Sequence, residues 1–243
     1  MKFLMATYIR RRSKLTSNNL KKNCAKEALK YIKNNTIIGL GGGSTISYLI
    51  DYIKENKDLN VKVVTPSVKT KMFCIENGLE VLHNCSVDKV DVAFDGCDEV
   101  DENLNALKSG GGIHTKEKLI ASMANDYILL VDDTKVVKTL TFKHPVVLEI
   151  FEDSLKYVER LVIELGGNPT IRNSSQKDGF TISDNGNLLM DVIFYNVQDI
   201  YELENSLKNI CGVIETSLFT NVVTKALVAS DSGIRVISKN KII

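Results

Sequence analysis

The sequence predicts an α/β protein in which a parallel sheet with flanking helices is followed by a smaller α+β unit. Strand and helix signals alternate through about the first 140 residues, which is the pattern of a parallel sheet. From about Pro145 the predicted order becomes β-α-β-β-α-β, the ferredoxin-like order. Two further strand signals end the chain, and we expect these strands to rejoin the first sheet. A chain of 243 residues suits one large domain, or one medium domain with a small one.

Each element of the first part has its own signal. Apolar residues at every fourth position, behind the candidate caps Asn18 and Asn19, predict an amphipathic helix: Leu20, Cys24, Ala28 and Ile32. Short apolar runs predict buried strands at 36–40, 61–65, 90–94 and 127–131. Helices are expected between these strands, with these apolar positions: Ile46, Leu49, Ile50 and Ile53 in the helix that Ser44 opens, and Leu119, Ile120, Met123 and Ala124 in the last one. A further helix is expected to end near Asn77.

The second part has strand signals at 145–150, 169–172, 188–194 and 213–218, and helix signals at 153–165 and 199–209. Between its middle strands, Asp184-Asn185-Gly186-Asn187 is a hairpin turn signal. The strands expected to return to the first sheet are 225–229 and 234–237.

The composition is that of a globular protein and argues against several functional classes. The chain is 44% hydrophobic and 25% charged, with a formal net charge of +1, so a dominant nucleic-acid surface has no support. No apolar run approaches the ~18 residues of a membrane span. The five cysteines form no CxxC pair and no Cys/His ligand set, which argues against zinc and against a disulfide framework. We expect free thiols in a reducing compartment.

The first seventeen residues differ from the rest. A short apolar stretch, Met1 to Ile9, precedes four basic residues: Arg10, Arg11, Arg12 and Lys14. A secretory signal would carry its charge before a longer apolar stretch. We expect residues 1–17 to be a disordered basic arm, while an added leader and an acid-poor transit peptide stay open.

The glycine run after the first strand lacks both common nucleotide motifs. Ser44 stands where a Rossmann fingerprint needs its third glycine, and no lysine follows Gly43 as a Walker A loop requires. Glycine amides at a helix N-terminus still favour an anion, because the backbone N–H groups are bare and the helix dipole adds positive potential. The loop therefore predicts a phosphate site without a nucleotide; the alternative is a plain tight turn.

Acidic residues follow the strand that ends at Asp95. Carboxylates at strand C-termini lie where α/β folds place their sites, and Asp95 and Asp98 flank a turn glycine. Clustered acids can bind a divalent metal, but this run has no histidine and does not match the EF-hand spacing. We expect Glu99, Asp101 and Glu102 to be solvated loop acids.

A second glycine run, Gly110 to Gly112, lies between Lys108 and the helix that carries Glu117. Glycine amides and a lysine can stabilise a developing oxyanion, and a carboxylate can act as a general base. Glu117 could equally be a first-turn acid that stabilises the helix dipole. The spacing alone does not decide between these two roles.

Together these segments resemble ribose-5-phosphate isomerases of type A. Gly39 to Thr45 is similar to that family's first phosphate loop. Four further segments are similar to its D-G-A-D-E, K-G-G-G, R/K-E-K and D-x-S/T-K signatures: 95–99, 108–112, 116–118 and 132–135. The turn 184–187 resembles the D-N-G-N turn, and the likeness runs from about Leu20 to Lys239.

The resemblance implies a role for each matching residue. Glu117 would move the proton between two sugar carbons, Asp95 would open the furanose ring, and Asp98 with Lys108 would hold and polarise the sugar oxygens. The implied substrate-binding residues are Lys21, Gly42, Gly43, Ser44, Thr45, Gly96, Cys97, Ser109, Gly110, Gly111 and Lys135, with Lys21 and Lys135 near the phosphate. In two places the chain departs from the pattern, with Gly42 where Thr is common and Cys97 where Ala is common. His114 has no family role.

The resemblance also implies the function and its setting. We expect interconversion of D-ribose 5-phosphate and D-ribulose 5-phosphate through an enediolate, in the non-oxidative pentose phosphate pathway, in the cytoplasm, without metal or organic cofactor. The alternatives are a non-catalytic sugar-phosphate sensor and an enzyme related to coenzyme A transferases. The expected domains are a Rossmann-like catalytic domain, 18–144 with 220–243, and a small α+β lid or oligomerisation domain, 145–219. We expect a homodimer or homotetramer, and no nucleic-acid or membrane partner.

Overall fold

The computed structural model describes residues 17–175 and 178–239. The basic arm expected at 1–17 lies outside the described residues, apart from Ser17 at the start of the first helix. Within the described ranges, no helix is long and apolar enough to cross a membrane.

The described residues form helices and strands with the following bounds. The helices are α1 (17–28), α2 (Ser44–Glu55), α3 (Val68–Glu76), α4 (His114–Met123), α5 (Leu155–Glu164) and α6 (Ile200–Lys208). The strands are β1 (Thr36–Leu40), β2 (Val61–Val64), β3 (Glu80–Val81), β4 (Val90–Asp95), β5 (Glu99–Asp101), β6 (Ala106–Leu107), β7 (Ala124–Asp132), β8 (Val136–Val137), β9 (Val146–Ile150), β10 (Gly167–Ile171), β11 (Leu188–Phe194), β12 (Val213–Thr216), β13 (Leu218–Phe219), β14 (Lys225–Ser230) and β15 (Gly233–Ser238).

The largest sheet has the spatial order β15-β14-β7-β4-β1-β2-β3. Every neighbouring pair is parallel except β14 with β15, which closes one edge as an antiparallel hairpin. Apart from that hairpin strand, the order matches the Rossmann arrangement 3-2-1-4-5-6. The predicted fold class is confirmed, and so is the return of the last two strands to this sheet.

Side chains along the central strands alternate between two cores. On β7, Ile128 and Leu130 pack in the core under α1 and α2. Tyr127, Leu129 and Val131 face the opposite core, which α4 covers. Successive side chains of a strand point to opposite faces, so a strand buried on both sides is a continuous apolar run.

A second sheet has the order β10-β11-β9-β12, and all of its pairs are antiparallel. The helices α5 and α6 complete the β-α-β-β-α-β order that the sequence predicts. Its apolar residues form a third core that includes Leu148, Val158 and Leu207. The predicted turn between the middle strands is present, because Ser183 N–H donates to the carbonyl of Asn187 at 2.8 Å.

A third sheet, β13-β6-β5-β8, is one that the sequence does not predict. Its strands have two or three residues, too few for a periodic signal. The predicted strand 213–218 is therefore wrong at its end, since β12 stops at Thr216 and Leu218 pairs with Leu107 of this small sheet. Ser217 joins two sheets: its N–H donates to the carbonyl of Val147, and its own carbonyl accepts from Lys108 N–H.

Helix α4 departs most from its predicted pattern. Leu119, expected among its apolar contacts, is 51% exposed, and Ala124 begins β7 instead of ending the helix. The buried face of α4 includes charged Glu117 and Lys118. Buried charges need partners from other elements, and apolar periodicity cannot reveal those partners.

Candidate active site

The predicted site residues meet at the carboxyl ends of β1 and β4. These neighbouring strands form the switch point of the sheet, because the chain continues to opposite sides after each. A cavity of about 510 Å³ opens there. Most of the predicted site residues line it: Gly42, Gly43, Asp95, Gly96, Cys97, Asp98, Lys108, Gly110, Gly111, Glu117 and Lys135.

In the first glycine loop, some positions require glycine and others do not. A Cβ at Gly41 would lie 2.0 Å from Oδ1 of Asp95, so only glycine leaves room for that carboxylate. Gly43, the cap of α2, has φ +95°, a conformation that glycine adopts readily. A Cβ at Gly42 would meet no atom within 4 Å, and its φ is not in the left-handed range. Gly42 thus faces open space in the cavity.

Three buried charges form the centre of the site. Lys108 Nζ lies 3.0 Å from Asp95 Oδ2 and 3.3 Å from Glu117 Oε1, and it also donates to the carbonyl of Gly96. All three side chains are nearly inaccessible to solvent. Oε2 of Glu117 is buried and has no hydrogen-bond partner among the described residues. This oxygen is free to accept a proton from a bound molecule.

The surroundings raise the pKa values of both Glu117 and Lys108, for different reasons. Burial, and next the negative charge of Asp95, raise the pKa of Glu117 to about 8 despite the attraction of Lys108. Burial alone would lower the pKa of Lys108, but Asp95 and Glu117 hold it above its ordinary value. The site therefore combines a permanent ammonium charge with a carboxyl group that titrates near neutral pH.

Asp95 collects hydrogen-bond donors that Glu117 lacks. Its Oδ1 accepts from Gly96 N–H at 2.8 Å, and its Oδ2 accepts from the hydroxyl of Tyr127 at 3.1 Å. Tyr127 is a site neighbour that the sequence analysis missed, since a tyrosine within an apolar strand carries no signal of function. Tyr127 precedes Ile128 on β7, so its side chain points to the opposite face of the sheet, the face that α4 covers.

In the second glycine loop, two backbone amides donate hydrogen bonds within the protein. Gly110 N–H donates to Oδ2 of Asp98 at 3.0 Å, and Gly112 N–H donates to the carbonyl of Gly110 at 2.8 Å. Arg172 fixes the loop from the second sheet by donating to the carbonyl of Ser109 at 2.9 Å. Of the three glycine amides, that of Gly111 has no partner among the described residues and remains available to a ligand.

The proposed phosphate-end residues lie beside the main cavity. Lys135 donates to the carbonyl of Cys97 at 2.6 Å and lines both the main cavity and a smaller one of about 140 Å³. Lys21 and Thr45 line the smaller cavity, with Asp132 at its wall. Ser44 is exposed at the first position of α2 and lines neither cavity.

Two polar residues of this region are directed elsewhere. Ser109 is buried and donates to the carbonyl of Pro145, so its hydroxyl is engaged away from the cavity. His114 is fully buried, and its Nε2 lies 3.2 Å from the carbonyl oxygen of Glu215. Burial lowers the pKa of His114 to about 4, which keeps the ring neutral.

The expectation that Glu99 and Asp101 are solvated is wrong. Both are buried in the third sheet: Glu99 accepts from the N–H and hydroxyl of Thr141, and Asp101 accepts from backbone and side-chain N–H groups of Asn105. Only Glu102 of the three is exposed. Within the described ranges, no three His, Cys, Asp or Glu side chains are grouped to hold a metal ion.

Other cavity residues went unrecognised: Ser67, Val68, Ile113 and Asp184. Ser67 follows β2, so the rule that predicts Asp95 from the end of β4 could also have indicated it. Asp184 comes from the turn of the second sheet and lies 3.5 Å from Lys116 Nζ. A larger groove, about 750 Å³, contains none of the predicted site residues.

Comparison with known proteins identifies the family. The model of ribose 5-phosphate isomerase A (phosphoriboisomerase A) matches residues 62–233. The ribose-5-phosphate isomerase A of Methanocaldococcus jannaschii is 39% identical over 230 residues, 93% of this chain and 100% of that protein. The chain belongs to the ribose 5-phosphate isomerase A family. Its relative from Pyrococcus abyssi is 36% identical over 90% of this chain and 98% of that protein.

Solved structures of this family have the same fold. The structure of the M. jannaschii enzyme has a TM-score of 0.86 and 38% identity, over 91% of this chain and 99% of that one. A D-ribose-5-phosphate isomerase in complex with phospho-erythronic acid also has a TM-score of 0.86, with 34% identity, over 91% and 98%. The resemblance predicted from the motifs is confirmed.

Proposed function

We propose that the chain interconverts D-ribose 5-phosphate and D-ribulose 5-phosphate through an enediolate, with Glu117 as the base. Family membership makes the chain an aldose–ketose isomerase that acts on a sugar phosphate. The buried, unpartnered Oε2 of Glu117 beside Lys108 supports the assignment of the base. Burial raises the pKa of Glu117 from the ordinary glutamate value to about 8, and a higher pKa makes a carboxylate a stronger base.

The proposed proton transfer uses the charge cluster directly. Glu117 takes the proton from carbon 2 of the open-chain aldose, and the electron pair moves to form the enediolate oxygen on carbon 1. The ammonium of Lys108 and the free amide of Gly111 stabilise that negative charge. Glu117 then returns the proton to carbon 1, while the proton of the carbon-2 hydroxyl moves to the first oxygen. Asp95 assists the preceding ring opening, and Asp98 holds a sugar hydroxyl.

The phosphate end fits the positive side of the pocket. The N-terminus of α2 follows Gly42 and Gly43, and its dipole favours an anion. Lys135 borders both cavities, and Lys21 lies with Thr45 in the smaller one. We assign these groups to the phosphate, and we further propose a cytoplasmic homodimer or homotetramer in which 145–219 acts as the lid or oligomerisation unit.

Turnover in a chelator tests this function. Purified protein given ribose 5-phosphate in EDTA should form the ketose, because the proposed mechanism uses no metal. In heavy water the product should take up deuterium at the carbon that is reprotonated. Binding of ribose 5-phosphate without turnover would instead support the sensor alternative, and loss of activity in EDTA would contradict metal independence.

The variant Glu117→Gln tests the base. Glutamine keeps the shape of the side chain but cannot accept the proton, so kcat should fall by at least ~10²-fold. Glu102→Gln is the matched control, because Glu102 is exposed in the same region and should leave kcat unchanged. Near-wild-type turnover by Glu117→Gln would falsify the assignment.

A further inference from the structure

Arg172 reaches from the second sheet to the loop that holds the free amide of Gly111. It follows β10, the edge strand of that sheet, and its backbone N–H donates to the carbonyl of Leu189 on β11. Its Nη2 donates to the carbonyl of Ser109 at 2.9 Å. Its Nε donates to both carboxylate oxygens of Asp191, at 3.0 and 3.1 Å, and Nη2 contacts the same carboxylate. The guanidinium is thus held by Asp191 while it holds the loop.

The peptide unit between Ser109 and Gly110 is fixed at both of its polar ends. Its carbonyl accepts from Arg172, and its N–H donates to Oδ2 of Asp98 at 3.0 Å. The carbonyl and the N–H of a planar trans peptide point in opposite directions, so these two partners together determine the orientation of the plane. Rotation of this plane would break both hydrogen bonds.

The next peptide unit carries the free amide of Gly111. Its carbonyl, that of Gly110, accepts from Gly112 N–H at 2.8 Å, so the Gly111 N–H points away from that turn. Gly111 and Gly112 have φ values of +74° and +67°, in the left-handed region that glycine adopts readily. Because glycine also allows many other conformations, the direction of the Gly111 amide depends on how the preceding peptide unit is anchored. Gly110 and Gly111 line the main cavity.

We propose that Arg172 is a positioning residue that orients the Gly111 amide toward the oxygen that becomes negative during isomerisation. This role rests on the proposed function, in which the amide and Lys108 stabilise the enediolate oxygen on carbon 1. Oxyanion donors are effective when they are already oriented toward the developing charge. Arg172 is not among the described residues that line the main cavity, so it acts through the loop and not by contact with the substrate.

Other contacts of the loop do not fix this peptide plane. The hydroxyl of Ser109 donates to the carbonyl of Pro145, which holds the side chain and not the plane. Gly112 packs closely against Leu189, since a Cβ at Gly112 would lie 2.5 Å from Leu189 Cδ1, and this contact holds the chain after the plane. Among the described residues, Arg172 is the donor to the Ser109 carbonyl.

Two inhibitors that differ at carbon 1 test the proposal in the whole protein without turnover. Ribonate 5-phosphate carries a carboxylate there, which resembles the charged enediolate oxygen, whereas ribitol 5-phosphate carries a neutral hydroxyl. Arg172→Met removes every donor of the guanidinium and keeps an unbranched side chain. The preference for ribonate 5-phosphate over ribitol 5-phosphate, measured by titration calorimetry, should fall by about tenfold or more, because hydrogen bonds to charged groups are the stronger ones. In steady-state kinetics kcat should fall by about ten- to a hundredfold, while KM stays within about threefold.

Arg172→Lys should keep part of the preference, because lysine retains the charge but lacks the planar fork that contacts Asp191 and Ser109 together. This variant also carries the test if the methionine variant fails to fold. Arg160→Gln is the matched control, since Arg160 pairs with Glu164 on the exposed surface of α5 and should affect the binding of neither inhibitor.

An unchanged preference in the Arg172 variants would overturn the proposal. An equal loss of affinity for both inhibitors would also overturn it, because that is the result of a purely structural role. Equal affinity of the native protein for the two inhibitors would refute the oxyanion site itself, and with it this part of the proposed function. The native protein therefore tests the proposed function, and the change between native protein and variants tests the role of Arg172.

Discussion

The thiol of Cys97 is a poor nucleophile, although it lies in the main cavity. Burial raises the pKa of its thiol to about 12, while Lys108 and Lys135 oppose the shift and Asp98 adds to it. Burial is the largest cause of this shift, larger than the effect of the neighbouring acids. The side chain nevertheless lines the main cavity, so any group attached to it would occupy the space where we propose that the sugar binds.

We therefore expect slow inactivation by thiol reagents, with protection by ribose 5-phosphate. The thiolate is the reactive form, and a buried neutral thiol supplies little of it. The exposed Cys85 and Cys211 should be modified earlier, without loss of activity. Mass spectrometry and residual activity on the same time course give the measurement. Equal inactivation of a Cys97→Ala variant would assign the effect to another cysteine.

Gly42 is a position where the sequence resemblance leads us to expect threonine. No left-handed backbone requires glycine at this position, because the φ of Gly42 is not positive. A side chain there would extend into open space. No backbone constraint therefore requires glycine here, and we expect a threonine hydroxyl at this position to be able to donate to the substrate.

Gly42→Thr should lower KM by about two- to tenfold with little change in kcat, since a neutral hydrogen bond contributes roughly 0.5–1.5 kcal/mol. The melting temperature should not fall. Steady-state kinetics and a melting curve on this one variant give both quantities, with Gly42→Ala as the control that adds a Cβ without a hydroxyl. A higher KM for the threonine variant would show that its side chain obstructs the substrate.

The arrangement of the candidate site was predictable where a residue's position follows from its place along the chain. Asp95, Asp98, Lys108 and Glu117 follow strands or glycine turns, and the structure brings them to one cavity. Tyr127 and the buried acid Glu99 could not be predicted in this way. Their placement depends on a partner far along the chain, Asp95 in one case and Thr141 in the other, and a single sequence does not display such pairs.

Glu149 connects the second sheet to α4, the helix that carries Glu117. It lies on β9, almost inaccessible to solvent, and its Oε1 accepts from Ser183 Oγ at 2.7 Å and from Asn185 and Asn187 side chains at 2.9 and 2.8 Å. Its Oε2 accepts from the hydroxyl of Thr115, in the first turn of α4. One carboxylate thus holds both the 184–187 turn and the start of the helix that carries Glu117.

Glu149→Ala should destabilise the fold by about 2–4 kcal/mol, because several buried donors lose their acceptor. Glu149→Gln should cost less, since its carbonyl oxygen keeps part of the network. The hydrogen bonds lower the pKa of Glu149, although burial acts against them. The stability that it contributes is therefore present above the ordinary glutamate pKa and is lost as the pH falls through the lowered value. Urea unfolding of both variants at several pH values measures this; equal stability of Glu149→Ala and native protein would contradict it.

Helix prediction succeeded at α2 and failed in part at α4 for a physical reason. All four predicted apolar positions of α2 are buried, because that helix packs on an apolar sheet face. In α4, Lys118 is buried with Glu204 at 2.6 Å and Glu215 at 2.8 Å, while Leu119 is exposed. When charges are neutralised by partners from α6 and β12, hydrophobic periodicity no longer identifies the buried face.

For the molecule as a whole, the alternation of strands and helices was sufficient to predict the main sheet and its added C-terminal strands. It was not sufficient for the junction between the sheets, which depends on single long-range contacts. Arg172 joins Ser109 to Asp191, and Ser217 joins Lys108 to Val147. No local signal marks these residues, although they fix the loop that carries Lys108.

The stability of the whole molecule should also depend on the ionisation of Glu117, the proposed base. The pKa of Glu117 is raised from 4.5 to about 8 by burial and by Asp95. Between these values the folded state holds a proton that the unfolded chain releases, so the free energy of unfolding falls as the pH rises through this window. Above about pH 8 the contribution of Glu117 is lost, and its carboxylate is ionised in a buried place.

Glu117→Gln removes this titration while keeping the shape of the side chain. The variant should therefore gain stability relative to the native protein as the pH rises from 5 to 9, by an amount on the order of a few kcal/mol. His114 acts in the opposite direction, because its pKa is lowered to about 4 and its contribution is lost as the pH falls below 6.5. That term is common to both proteins and cancels in the difference. Urea unfolding at each pH gives the measurement, with exposed Glu102→Gln as the control whose difference should stay constant. A constant difference for Glu117→Gln as well would mean that Glu117 is already ionised at pH 5, and that its burial does not raise its pKa.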